Sequence, residues 1–202
     1  LGIDDARLFD CPHFVDNRRF AAAAERALPR REELRRRWNA SGDDLVVLFC
    51  GKLIPEKNVG ELLEAFAAAL ASAPRLRLVM VGDGPLRGEL EAQAQRLGVR
   101  AAWCGFQNQS QLPESYAAAD VLVLPSRSET WGLVVNEALA SGLPVIASDR
   151  VGCVPDLVHP QRTGAVYRSG HPEELAARLL EAAANPARLR LAGEEGRRLV
   201  LD

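Results

Sequence analysis

The sequence predicts an α/β protein, a three-layer α/β/α sandwich around a mainly parallel sheet. Short apolar runs rich in β-branched residues, among them Leu45–Cys50, Leu76–Val81 and Val121–Leu124, alternate with longer helical stretches. Each run ends in a glycine- or proline-containing turn that leads into a helix, which is the order of repeated βαβ units and not of hairpins. A chain of 202 residues with 48% hydrophobic composition can bury the core that such a Rossmann-like sandwich needs.

Residues 1–40 read as a lead-in strand and helix, and residues 41–202 as the Rossmann-like domain. In the lead-in, Arg7–Cys11 reads as an edge strand ended by Pro12, with a turn at Asp16-Asn17. Ala21–Asn39 follows as a helix, favoured by its alanines and arginines and closed by Ser41-Gly42. Leu45–Cys50 is then a continuous apolar strand, and the turn G-K-L-I-P-E-K-N-V-G carries it into an amphipathic helix over Val59–Ala71.

Leu76–Val81 is the next strand. Its continuation places Gly82, Gly84 and Gly88 in a G-x-G-x-x-x-G pattern, which we do not read as a nicotinamide-cofactor fingerprint. Pro85 would occupy the opening turn of the helix, no strand ending in an acid follows at the expected distance, and this is the second βα unit. Ala101–Cys104 forms a short strand in which Trp103 reads as core, followed by a G-F-Q-N-Q-S loop and a helix over Pro113–Ala118. Val121–Leu124, closed by Pro125, then leads through a polar loop to a helix over Gly132–Ala140, with Gly142 as its C′ residue and Val145–Ala147 as the next strand. A strand at Gly164–Tyr167, a helix over Pro172–Ala184, a break at Asn185-Pro186 and a helix over Ala187–Leu201 complete the chain.

Net charge is −2, so a nucleic-acid partner held by bulk positive charge is excluded. The basic run Arg30, Arg31, Arg35, Arg36 and Arg37, interleaved with Glu32 and Glu33 after Pro29, reads as a helix start with a solvated charged face and leaves a membrane-surface contact open. Cys11, Cys50, Cys104 and Cys153 stand far apart without a C-x-x-C pair, which predicts free, mostly buried thiols in a reducing, cytoplasmic compartment and neither disulfides nor zinc. A start at Leu1 and not Met gives the reading of a cropped chain.

The residues with chemistry gather in two strand-to-helix loops. Ligands of open α/β sheets lie beyond the carboxyl ends of the strands, where the loop Ser126–Trp131 falls. Gly132 admits a ligand close to the backbone, and the first-turn N–H groups of the helix behind it suit a phosphate. Ser128 and Thr130 are candidate caps of that helix. Glu129 and Glu137 would repel a phosphate if they faced it, so their natural targets are neutral hydroxyls, a sugar on each side of the phosphates. The plainer alternative is a dipole-matched Glu129 and a solvated Glu137. Lys52 and Lys57, beside Gly51 in the first βα loop, are placed to neutralise phosphates, or are ordinary surface lysines. His13, a lone histidine in a turn, reads as structural.

The segment S-R-S-E-T-W-G-L-V-V-N-E-A-L-A-S-G-L-P-V-I-A-S resembles the paired-glutamate signature of retaining glycosyltransferases with the GT-B fold, in particular family 4. The resemblance implies that Glu129 contacts the donor sugar, Glu137 the ribose hydroxyls, and the backbone of Gly132, Leu133 and Val134 the distal phosphate. F-C-G-K-L-I-P-E-K-N-V is similar to the family's G-R-x-x-x-x-K-G loop, with Lys57 matching, Lys52 in place of arginine and Asn58 in place of glycine. It implies that both lysines hold the donor diphosphate, and the likeness of G-F-Q to the family's G-[FY]-x loop implies that Phe106 and Gln107 line the base pocket. Gly152–Val158 resembles the family's G-G-x-x-[DE]-x-[IV] turn, with Asp156 as a structural acid. The chain would be the carboxyl-terminal, donor-binding half of a GT-B enzyme, with a nucleoside-diphosphate sugar as donor substrate and no metal or other cofactor. The acceptor site would lie in an amino-terminal domain that this chain lacks. Two further readings stay open: a nucleotide-binding module without turnover, and a GT-B epimerase. A phosphorylase would need a pyridoxal-binding lysine and a longer chain.

Overall fold

The computed structural model describes residues 4, 7 and 15–202. Apart from Arg7, the edge strand expected at Arg7–Cys11 lies outside the described residues, as do Cys11 and His13. The sheet has six strands, β1 (Leu45–Cys50), β2 (Leu76–Val81), β3 (Ala101–Gly105), β4 (Val121–Leu124), β5 (Val145–Ser148) and β6 (Gly164–Tyr167). Their order is β3-β2-β1-β4-β5-β6, and every neighbouring pair is parallel. Period-two alternation sends Val47 and Phe49 of β1 to one face and Val46, Leu48 and Cys50 to the other. Because both faces are covered by helices, the central strands β1 and β4 are apolar throughout and do not alternate with polar residues.

The helices are α1 (Asn17–Ala27), α2 (Arg31–Arg36), α3 (Val59–Leu70), α4 (Arg87–Arg96), α5 (Leu112–Ala118), α6 (Leu133–Ala140), α7 (Val154–Leu157), α8 (Pro172–Ala184) and α9 (Pro186–Leu201). Leu62, Phe66, Leu90, Leu175 and Leu179 of α3, α4 and α8 cover one face. Phe20, Tyr116, Val135 and Leu139 of α1, α5 and α6 cover the other. Trp103 is packed against the first of these clusters, as core. Cys50 and Cys153 are buried free thiols, both pushed up to about 12 by that burial, and Cys104 is free and half-buried.

The single helix expected over Ala21–Asn39 is broken. Pro29 has no N–H to donate and cannot continue a helix, so α1 ends at Ala27 and a 3₁₀ turn over Leu28–Arg30 redirects the chain into α2. The expected turn at Asp16-Asn17 is in fact the start of α1, where Asp16 accepts the Arg19 N–H at 3.0 Å as an N-cap. Pro85 precedes α4 and lies outside its opening turn.

The solvated charged face expected of the arginine run is present at Arg30, Glu32, Glu33, Arg36 and Arg37, which are exposed, but Arg35 departs from it. Arg35 is 1% exposed, and its guanidinium donates to the carbonyls of Ser41, Asp44 and Ala118 and to Asp120. Asp120 takes Arg31 on its other oxygen and also accepts the Val46 N–H at 2.7 Å. Arg30 pairs with Glu33 and Glu114, and Arg37 with Glu33, so the run presents no continuous cationic face. Removing one partner of a buried, hydrogen-bonded charge pair costs about 3–5 kcal/mol. Arg35→Met is therefore expected to lower stability by about that amount in urea unfolding, and a loss below about 1 kcal/mol would refute Asp120 as an anchor.

Candidate functional site at the switch point of the sheet

β1 and β4 are neighbours whose connections leave in opposite directions, β1 through α3 to β2 and β4 through α6 to β5. Their carboxyl ends therefore part, and the crevice between the following loops is the position where open α/β sheets take ligands. The loop after β1 is pinned by Leu53 N–H to the Asp83 carbonyl (3.0 Å) and by Leu86 N–H to the Leu53 carbonyl (3.1 Å). Gly82 lies so close beneath it that a Cβ there would fall 1.8 Å from the Gly51 carbonyl oxygen. Asn58 stands at φ 50°, a left-handed conformation that asparagine tolerates, which accounts for its place where glycine is usual in the resembling loop. Arg127 N–H reaches the Glu56 carbonyl at 2.9 Å and ties the loop after β4 to the loop after β1.

Across this crevice the Lys57 ammonium and the Glu129 carboxylate form an ion pair, their side chains 18% and 19% exposed. Glu129 is held from behind by backbone bonds: its N–H reaches the Arg150 carbonyl (3.3 Å) and its carbonyl accepts the Gly152 N–H (2.9 Å). Trp131 Nε1 donates to Asn136 Oδ1 at 2.9 Å and fastens the loop to α6. Lys52 is exposed at the rim, and no described residue forms an ion pair with it.

Gly132 sits at φ 97°, and a Cβ there would lie 2.9 Å from Val151 Cγ1, so the turn into α6 requires glycine. α6 has no side-chain cap, so the expected capping by Ser128 or Thr130 is corrected; both side chains are exposed. Its first turn, with Leu133 exposed and Val134 half-buried, also carries no acidic residue, which leaves the positive end of the helix uncompensated.

Glu137 is not the solvated residue of the plainer alternative. It is buried, and Tyr116 Oη donates to its Oε2 at 2.7 Å. Burial raises its carboxyl above the ordinary range, opposed by the Tyr116 hydrogen bond and the charge of Arg19. Neither Tyr116 nor Arg19 stood out in the sequence, where an isolated tyrosine among the alanines of Y-A-A-A-D is the only signal. Phe106 is 77% exposed beyond β3, and Gln107 is half-buried with its Oε1 accepting from Ser115 Oγ at 2.7 Å. The structure thus pairs Lys57 with Glu129 across the crevice beside the α6 start, with Glu137 buried farther along α6; Lys52 lies on the same loop as Lys57, and Phe106 and Gln107 on the loop after β3. Asp156 lies in the first turn of α7. Among the described residues no three His, Cys, Asp or Glu side chains gather as a metal site, and no helix is long and apolar enough to cross a membrane.

The profile of the family described as glycosyl transferases group 1 matches residues 30–199. The chain belongs to that family. It is 43% identical over 159 residues to the GDP-mannose-dependent alpha-mannosyltransferase of Mycobacterium tuberculosis, covering 79% of this chain and 38% of that protein. Among solved structures it is similar to WaaG, a glycosyltransferase involved in lipopolysaccharide biosynthesis, with a TM-score of 0.80 and 26% identity over 94% of this chain and 50% of WaaG. It is also similar to Anabaena HepE in complex with UDP and glucose, with a TM-score of 0.77 and 25% identity over 85% of this chain and 47% of HepE. The chain therefore spans half or less of the length of these relatives, and its fold fits the carboxyl-terminal domain of a GT-B glycosyltransferase.

A carboxyl whose folded pKa is raised keeps a proton that the unfolded chain has already released. Stability then falls as pH rises through that window and stays lower at neutral pH. Glu137→Gln is accordingly expected to raise the melting temperature at pH 7, by about 2–4 °C for each kcal/mol regained, and to lose that advantage at pH 4. An equal destabilisation at both pH values in calorimetric scans would contradict the raised carboxyl.

Proposed function

We propose that this chain is the donor-binding domain of a retaining, family 4 glycosyltransferase, which transfers a sugar from a nucleoside-diphosphate sugar to an acceptor. The observation that carries the proposal is the Lys57–Glu129 pair at the switch point, beside the uncapped start of α6 and the buried Glu137. In this reading the donor diphosphate displaces Glu129 from Lys57. Lys57, with Lys52 from the rim beside Gly51 and the amides at Gly132, Leu133 and Val134, then stabilises the charge that develops on the departing diphosphate. Those groups supply the charge stabilisation without a metal ion. Glu129, released from Lys57, accepts from the hydroxyls of the donor sugar, and Glu137 accepts from the ribose. Phe106 and Gln107 form the wall by the base.

The complex of HepE with UDP and glucose supports a nucleotide and a sugar as ligands, and the name of the mycobacterial relative supports a nucleoside-diphosphate sugar as donor. The acceptor is bound by a separate amino-terminal domain, so this chain alone binds donor and turns nothing over. Buried free thiols fit a cytoplasmic site of action.

Titration of this chain with UDP, GDP and ADP is the first test. One of the three is expected to saturate, and Lys57→Ala and Glu137→Ala are each expected to weaken it about tenfold or more, in keeping with the ~1.5–3 kcal/mol of a hydrogen bond to a charged group. Binding of none of them at millimolar concentration, or binding indifferent to both substitutions, overturns the site. In the whole protein, NMR of the product is expected to show the anomeric configuration of the donor, and inversion would remove the retaining assignment.

A further inference from the structure

We propose that Tyr116 is a positioning residue whose hydroxyl holds the Glu137 carboxylate in the orientation that receives the two ribose hydroxyls of the nucleotide. The proposal rests on the donor-site reading above and extends it to a residue on a different helix. Tyr116 projects from α5 and Glu137 from α6, and the 2.7 Å bond between them is the only hydrogen bond that the described residues make to the Glu137 carboxylate. Oε2 is thereby fixed. Oε1 and the remaining lone pair of Oε2 stay available, and a carboxylate offers about four acceptor sites, enough for a diol as well as the phenol.

The tyrosine is itself immobile. It is 1% exposed, and its ring packs against Phe20 of α1 at a centroid distance of 6.1 Å. Its hydroxyl is also within 3.7 Å of Cys50 Sγ at the end of β1, and burial keeps the phenol protonated, so it acts as a donor at any working pH. The groups facing Glu137 are therefore Tyr116 from α5, Arg19 from α1 and Cys50 from β1, with Lys57 beyond Cys50. Arg19 acts through space, since its guanidinium donates to Gln109 at 2.8 Å. Among the described residues only the tyrosine hydrogen-bonds the carboxylate, so its orientation depends on that hydroxyl, and its ionised state on the hydroxyl together with the charge of Arg19. The ionised form, which is acceptor-only, is the stronger acceptor for the two ribose hydroxyls.

Tyr116→Phe removes the hydroxyl and keeps the ring. The diphosphate that binds in the titration above is expected to bind this variant roughly tenfold more weakly at neutral pH. Its 2′,3′-dideoxy counterpart, which has no diol, is expected to bind the variant and the unaltered chain equally, which also shows that the variant is folded. Ribonucleotide affinity falls as pH drops through the raised Glu137 carboxyl, and without the phenol that fall is expected to begin at higher pH. Equal weakening of both nucleotides, or no weakening of either, overturns the positioning role. Glu137→Ala separates this from failure of the site itself: with no acceptor left at this position, it is expected to abolish the preference for ribose over dideoxyribose. If that preference survives in Glu137→Ala, the donor-site reading fails, whatever Tyr116→Phe does.

Discussion

The parallel pairing of β1 with β4 is the contact on which the functional edge of this molecule depends. It is short, registering only Val47 with Val121 and Leu48 with Leu122. Asp120 extends it: its N–H donates to the Val46 carbonyl at 2.9 Å and its carboxylate accepts the Val46 N–H. The same carboxylate takes Arg31 and Arg35 from α2, so one acid fastens the middle of the sheet to the helical layer that also carries α1 and α5. From this junction the two halves of the chain wind away from each other. Lys57 and Glu129 face across a crevice because their strands are adjacent and their helices are not.

Three charge arrangements in this domain differ in how completely burial is compensated. Arg35 is surrounded by carbonyls and a carboxylate, and its charge serves only cohesion. Lys57 and Glu129 compensate each other while retaining access to solvent, so a stronger anion can separate them. Glu137 is buried with a single neutral donor and keeps a raised carboxyl. A carboxylate left short of partners inside a fold lowers its stability, and the missing partners are what a ligand can supply. Arg35 is thus fully compensated within the fold, whereas the Glu137 carboxylate keeps acceptor capacity that the described residues do not use.

Much of the fold was legible in the residues. The strands at Leu45–Cys50, Leu76–Val81, Val121–Leu124 and Gly164–Tyr167 have the bounds that their apolar runs and flanking turns imply. The helix over Pro172–Ala184 is likewise bounded as its proline and the Asn185-Pro186 break dictate. The lead-in was less legible, because alanine and arginine favour helix on either side of Pro29 and only the geometry of the chain reversal shows where α1 stops. The grouping of Lys57, Glu129 and Glu137 was readable from their motifs. Tyr116 was not, since one hydroxyl in an alanine-rich helix has no meaning until the helix beside it is known.

By itself the sequence determined what depends on neighbours along the chain. Most strand boundaries, the helix over Pro172–Ala184 and the loop positions of the lysines and acids follow from backbone sterics and side-chain propensities within a few residues. Only the tertiary structure decided which charges are buried and with whom. Arg35 reads as a surface residue in its own helix, and the sequence leaves Glu137 either facing a hydroxyl or solvated, because burial and pairing are set by segments that reach them across 85 and 21 residues of chain. Desolvation and hydrogen bonding act through space, and no local pattern encodes them.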